Sequence, residues 1–131
     1  MKNHLLAVPL ALFLASCATA PSRQELATAD YGTVPTNYEQ IIKEHCGRFL
    51  KDPYSAQYQF SKPEAGWLAN SPLTGGERAF GYVVHVTLNA KNSFGGYVGA
   101  EEYRFLIHNG VVVMSQKRSR DGSNWWPTTS L

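Results

Sequence analysis

Arg78-Ala79-Phe80-Gly81-Tyr82-Val83-Val84-His85-Val86-Thr87-Leu88-Asn89 and Phe105-Leu106-Ile107-His108-Asn109-Gly110-Val111-Val112-Val113-Met114 decide the fold. In the first stretch Phe80, Tyr82, Val84, Val86 and Leu88 alternate with Gly81, Val83, His85, Thr87 and Asn89, and a period of two places the apolar set on one face of a β-strand. The second stretch holds Asn-Gly between two apolar runs. That is a strong hairpin signal, because both residues tolerate the positive φ of a type I′ turn. A two-residue turn pairs His108 with Val111, Ile107 with Val112, Leu106 with Val113 and Phe105 with Met114. Phe105, Ile107, Val112 and Met114 then share the core face. Leu106, His108, Val111 and Val113 share the other, partly apolar face, which either a loop covers or a partner occupies.

Upstream the period is helical. Thr36 and Glu39 match a capping box, and Tyr38, Ile41, Ile42, His45 and Phe49 recur at helical spacing as one apolar stripe. The helix is expected to run from Thr36 to near Lys51, because Asp52 precedes Pro53 and is pushed away from helical angles. Asp52-Pro53-Tyr54-Ser55 can open one further turn with Asp52 as its cap. Gln57, Gln59 and Ser61 alternate with Tyr58 and Phe60 as a short strand. Residues 63–76 read as a loop plugged by Trp67 and Leu68. The expected architecture is α+β: one N-terminal amphipathic helix packed on an antiparallel sheet of about four strands.

The chain has 131 residues, 44% hydrophobic and 17% charged, with 12 Lys and Arg against 10 Asp and Glu. Such a composition suits one globular domain. A formal charge of +2 is too small for the broad basic surface that general nucleic-acid binding needs. The apolar run from Leu5 to Ala15 is shorter than the roughly 20 residues of a transmembrane helix, and fits a signal-peptide core. Leu14-Ala15-Ser16-Cys17 follows it: an aliphatic residue, two small ones, then a thiol. This resembles the lipobox of bacterial lipoprotein precursors. The resemblance implies cleavage before Cys17, attachment of fatty acyl chains at Cys17, and a membrane anchor in the cell envelope. Ala18 stands where, in the enteric proteins this pattern resembles, Asp retains the chain at the inner membrane, which implies passage to the outer membrane. The expected organisation is a signal peptide over 1–16, a lipidated cysteine and flexible tether over 17–35, and a single α+β domain over 36–131.

Once Cys17 is lipidated only Cys46 remains, which leaves no intramolecular disulfide. A small residue packed at the helix flank and a reactive thiol are both open readings of Cys46. His45, His85 and His108 lie outside any metal-ligand spacing, so no metal, cofactor or catalytic residue is assigned. His85 and His108 fall on one sheet face. Glu101 and Glu102, as strand neighbours, point to opposite faces and cannot act as a carboxylate pair.

The most distinctive segment is Asn89-Ala90-Lys91-Asn92-Ser93-Phe94-Gly95-Gly96-Tyr97-Val98-Gly99. Its glycines and asparagines demand unusual backbone angles. Lys91, Asn92, Phe94 and Tyr97 are the candidate partner contacts. Together with Leu50-Lys51-Asp52-Pro53-Tyr54-Ser55-Ala56, it resembles a group of small bacterial envelope proteins carrying KDPxSA and NAKNSFGGYxG segments. Lys117-Arg118-Ser119-Arg120 followed by Trp125-Trp126 offers either a headgroup-docking patch or a solvated strand end with tryptophan folded over the second sheet face. The expected function is a non-enzymatic, lipid-anchored accessory or adaptor that contacts an envelope protein or the cell wall. The alternative is a small periplasmic enzyme or redox protein using Cys46 with a nearby histidine.

Overall fold

The alternating apolar stretch forms a strand of 14 residues along which the other elements are arranged. The structure, a computed structural model, describes residues 20–70 and 76–128. Leu14-Ala15-Ser16-Cys17 lies outside the described residues. In chain order the elements are α1 (Arg23–Thr28), α2 (Tyr38–Cys46), β1 (Asp52–Phe60), β2 (Glu64–Ala69), β3 (Arg78–Lys91), β4 (Glu101–His108), β5 (Val111–Arg118) and β6 (Trp125–Pro127). The strands form one antiparallel sheet in the order β1-β3-β4-β5-β6, with β2 also paired to β3.

The expected α+β architecture, a helix on about four strands, is not the one formed. The described chain is mainly antiparallel sheet, six strands with two short helices. The two additional strands arise from backbone pairing rather than local pattern. β3 outruns β1: Phe60 pairs with Val86, which leaves the first half of β3 with an open edge. Buried or half-buried backbone groups must find partners, and β2 supplies them from Glu64↔Val83 to Ala69↔Arg78, inside the stretch that reads as a loop. β6 pairs with only Gln116, Lys117 and Arg118.

One face of the sheet carries the core. Val84, Val86, Leu88, Tyr103, Phe105 and Ile107 pack there against Ile42 and Cys46 of α2. The helix is shorter than its apolar stripe. It begins after Asn37, whose side chain makes no capping bond, and the Thr36–Glu39 capping box does not form. At the other end Gly47 N donates to Lys43 O at 2.9 Å and Leu50 N to Cys46 O at 3.0 Å. The chain therefore turns, and Phe49 and Leu50 reach the core from outside the helix.

Two irregularities redirect side chains. The hairpin turn forms as the Asn-Gly pair requires, with φ of 48° at Asn109 and 78° at Gly110. His108↔Val111 and Ile107↔Val112 pair as expected, but the next pair is Leu106↔Met114, so Val113 is an extra residue in β5. This bulge reverses every later assignment on β5. Met114 joins the face of Leu106, and Ser115 takes its place opposite Phe105 on the core face. In β1 the pairing jumps from Asp52↔Lys91 to Gln57↔Asn89. Asp52 accepts from Ser55 N through its carboxylate at 3.2 Å and from Ser55 Oγ through its carbonyl at 2.8 Å. The helical turn expected at Asp52, with Pro53 in its first position, does not form: these residues belong to β1 and are accommodated there as a bulge, in which Tyr54 is 99% exposed.

The second face is covered by the sheet itself. β2 and β5 are three strand spacings apart in pairing order, about 14 Å if the sheet were flat. Yet Gln116 Nε2 donates to Ala69 O at 2.7 Å. The sheet therefore curls toward this face and buries Leu68, Leu106 and Gln116.

The part of the expected tether that is described, residues 20–35, contains α1 and lies as a strap on the hairpin end of the sheet. Its helix has a capping box of its own, with Ser22 N to Glu25 Oε2 at 2.7 Å and Glu25 N to Ser22 Oγ at 3.2 Å. Glu25 faces Arg78 at 3.8 Å, Tyr31 meets Phe80 edge to face at 6.0 Å, and Asn109 Oδ1 accepts from Thr33 N at 3.0 Å. Asn109→Gly retains a residue suited to positive φ but removes that acceptor. The expected outcome is faster limited proteolysis between residues 28 and 36, with a loss of less than about 1.5 kcal/mol in urea unfolding. Unaltered cleavage would mean that Tyr31 and α1 hold the strap without Asn109.

Candidate functional site

β3 ends at Lys91, and the following loop is shaped by one side chain. Asn92 Oδ1 accepts from Phe94 N at 2.9 Å and Gly96 N at 3.1 Å, while Asn92 N donates to Gly96 O at 2.8 Å. Gly95 and Gly99 sit at φ of 80° and 99°, the left-handed region that favours glycine. Tyr97 bridges back to Lys91. Its hydroxyl donates to Ser55 O at 3.2 Å, and the Lys91 ammonium lies 5.4 Å from its ring centre. The four expected contacts thus have different roles. Asn92 builds the turn, Tyr97 ties the loop to the β1 bulge, Lys91 stands at the rim, and Phe94 is displayed with 97% exposure. Tyr54 joins this end of the molecule through its neighbour Ser55, and nothing in the local alternation of β1 marks it. The signal was the Asp-Pro-Tyr-Ser turn pattern embedded in a strand.

Beneath the loop is a recess of about 280 Å3. Leu88, Ala90, Tyr103, Phe49, Leu50 and Val98 form its apolar wall, and Lys51, Lys91, Asn92 and Glu101 stand among its lining. The acid is compensated: Glu101 accepts from Lys117 Nζ at 2.7 Å and from the Tyr103 hydroxyl at 3.1 Å. Among the described residues no carboxylate forms an ion pair with Lys51 or Lys91, although Asp52 is the strand partner of Lys91. The recess exists because Phe49 and Leu50 leave the helix before the sheet ends.

The curled second face gathers a different set. The Arg104 guanidinium carbon stacks 4.4 Å from the Trp125 ring centre, and Arg104 Nε donates to Gln116 Oε1 at 2.7 Å. His85 meets Trp125 edge to face at 6.2 Å. Trp125 is thus folded over this face while Trp126 stays exposed. His108 is engaged elsewhere, with Nδ1 3.1 Å from Phe80 O and Nε2 3.7 Å from Asp30. Shared sheet face does not bring the two histidines to a shared partner. Lys117 and Arg118 of the basic run are paired with Glu101 and Glu102 at 2.7 and 2.6 Å, which reduces the charge available to headgroups.

Cys46 is fully buried. Burial pushes its thiol up from 9.0 to about 12, against a smaller lowering from the Tyr58 hydrogen bond. The thiolate that nucleophilic or redox chemistry requires is therefore suppressed at neutral pH. His45 is engaged by other groups. Its Nε2 lies 3.4 Å from Ser115 Oγ, which also bonds the Thr128 hydroxyl, and its ring packs on Phe49 and Phe105. Burial, then the positive charge of Arg48, holds the imidazole below its ordinary value. Among the described residues no group of three His, Cys, Asp or Glu could hold a metal ion.

The same burial makes stability pH-dependent. Between pH 9.0 and about 12 the unfolded chain loses the Cys46 proton while the folded chain keeps it, so this contribution is intact below pH 9 and lost on going above it. Tyr58 is raised by burial, then by Cys46, and Tyr103 by burial, then by Glu101, both in the same sense. The urea midpoint is expected to fall between pH 9 and 11, and Cys46→Ala to remove part of that fall. In a Cys17→Ala chain, where Cys46 is the only thiol, labelling at pH 7 should wait on unfolding. Rapid labelling of the folded protein would restore the reactive-thiol alternative.

Compared with protein-family models, with curated proteins and with solved structures, the chain matches none.

Proposed function

We propose that the protein is a lipid-anchored accessory or adaptor of the bacterial cell envelope, non-enzymatic, whose Asn92–Gly99 loop end binds an envelope protein or cell-wall partner. The observation that carries this reading is the placement of Phe94 and Tyr54. Both are almost wholly exposed, at the Lys91 end of β3, whereas the strap lies on the opposite end at Arg78, Phe80 and Asn109. Exposed aromatic rings cost solvation and are common anchors in interfaces.

The two ends give the proposal a geometry. Cys17 precedes the buried Pro21 by four positions, a reach of at most about 14 Å. An acylated Cys17 would keep the strap end beside the bilayer, since two or three acyl chains hold a protein stably on a membrane. β3 has 14 residues and extends roughly 45 Å, so Phe94 and Tyr54 can stand well away from the headgroups. Ala18, in place of Asp, supports the outer membrane as the anchoring bilayer. No helix of the described residues is long and apolar enough to cross a membrane, and the proposal needs none.

Two measurements test the reading separately. Cys17→Ala should move the protein from the membrane fraction to the soluble one, and intact mass should show acyl chains on a native chain that begins at Cys17. Continued tight membrane association of Cys17→Ala would place the anchor elsewhere. Phe94→Ala with Tyr54→Ala should abolish crosslinks to an envelope partner in intact cells while changing unfolding free energy by under about 0.5 kcal/mol per site. Crosslinks that survive both substitutions would remove the loop end from the interface.

A further inference from the structure

We propose that the recess beneath the Asn92–Gly99 loop is a binding site for a small amphiphilic anion, a short apolar body carrying one carboxylate. The inference stands on the recess alone and does not depend on the anchor or the adaptor reading.

The wall is a continuation of the core rather than a surface dimple. Leu88, Ala90 and Tyr103 are buried residues of the sheet that end in this recess, with Phe49, Leu50 and Val98 closing the sides. The one polar atom of these six side chains, the Tyr103 hydroxyl, is already committed to Glu101. Water inside such a space finds few partners, so an apolar group that displaces it gains free energy. The preference for an anion comes from the mouth. Glu101 is offset by Lys117, and Asp52, which stands across from Lys91 in the strand register, turns a carboxylate oxygen to Ser55 N, so Lys51 and Lys91 are the charges of the described lining that form no ion pair. Apolar depth beneath a cationic rim is complementary to a carboxylate on a hydrocarbon and opposes an amine on the same hydrocarbon.

Size narrows the class. A volume of about 280 Å3 lies just under the range of drug-sized pockets, and matches about nine water-sized or methylene-sized groups. That accommodates a medium-chain acyl group or a single substituted ring, and excludes a full phospholipid or a nucleotide. The loop can adapt to such a ligand. Gly95 and Gly99 have open space where a side chain would stand, and Val98, which borders the recess, is 58% exposed. Closure of Val98 onto a bound hydrocarbon would bury both.

Octanoate, octanol and octylamine probe body and charge separately. Titrated into the 15N-labelled protein, octanoate should give saturable amide shifts centred on Leu88, Ala90 and Val98, with octylamine at least about tenfold weaker and octanol between them. Lys51→Gln with Lys91→Gln should weaken octanoate about tenfold and leave octanol unchanged. Val98→Trp, at an exposed position that can fill the mouth without disturbing the sheet, should abolish all three. Equal affinity for octanoate and octylamine would overturn the charge assignment. Shifts centred outside the recess, or octanoate binding unaltered in Val98→Trp, would overturn the site.

Discussion

The pairing of β3 along both edges is the constraint on which the rest of the structure depends. Its 14 residues present backbone donors and acceptors to two sides, and the buried ones must be satisfied. β4 takes one edge, while β1 and β2 share the other end to end. The core follows from this arrangement, because alternate residues of β3 and β4 stack Val84 beside Phe105 and Tyr82 beside Ile107 on the face that α2 covers. The curl of the sheet then does for the second face what a helix does for the first.

The same strand separates the molecule into two chemically different ends. At its start, the strap is fastened by an ion pair, an aromatic contact and an amide carbonyl, all provided by residues distant in sequence. At its finish, the core runs out before the strands do, and an apolar recess with Lys51, Lys91 and Glu101 among its lining results. Displayed aromatic rings and the recess therefore share one end because a short helix and a long strand cannot be covered to the same length. The middle of the molecule offers less chemistry: its cysteine is sealed in, and the histidine beside it is spent on a packed hydroxyl.

Several side chains that look reactive in isolation are structural in place. Asn92 was readable as a partner contact, yet its carbonyl oxygen holds two loop amides. The Lys117-Arg118 pair was readable as a basic patch, yet cross-strand glutamates meet both. Trp125 was readable as a membrane anchor, yet Arg104 lies against its face. In each case the partner is brought by strand pairing across a hairpin, where local spacing carries no information. Phe94 keeps its candidacy because it is 97% exposed and no such partner among the described residues reaches it.

Local chemistry determined the elements whose causes are local: the alternation that makes β3, the Asn-Gly turn with its first two pairs, and the apolar stripe that seats Ile42 on the sheet, with Cys46 at its edge. Tertiary structure alone decided the remainder. The bulge at Val113 depends on how β5 meets β4, β2 exists because β3 has an open edge, the strap needs Asn109 as a distant acceptor, and the recess is a mismatch in length between α2 and the sheet. Periodicity reports the face that a residue prefers. Free edges, bulges and cavities are properties of two elements meeting, and they become defined only when both are in place.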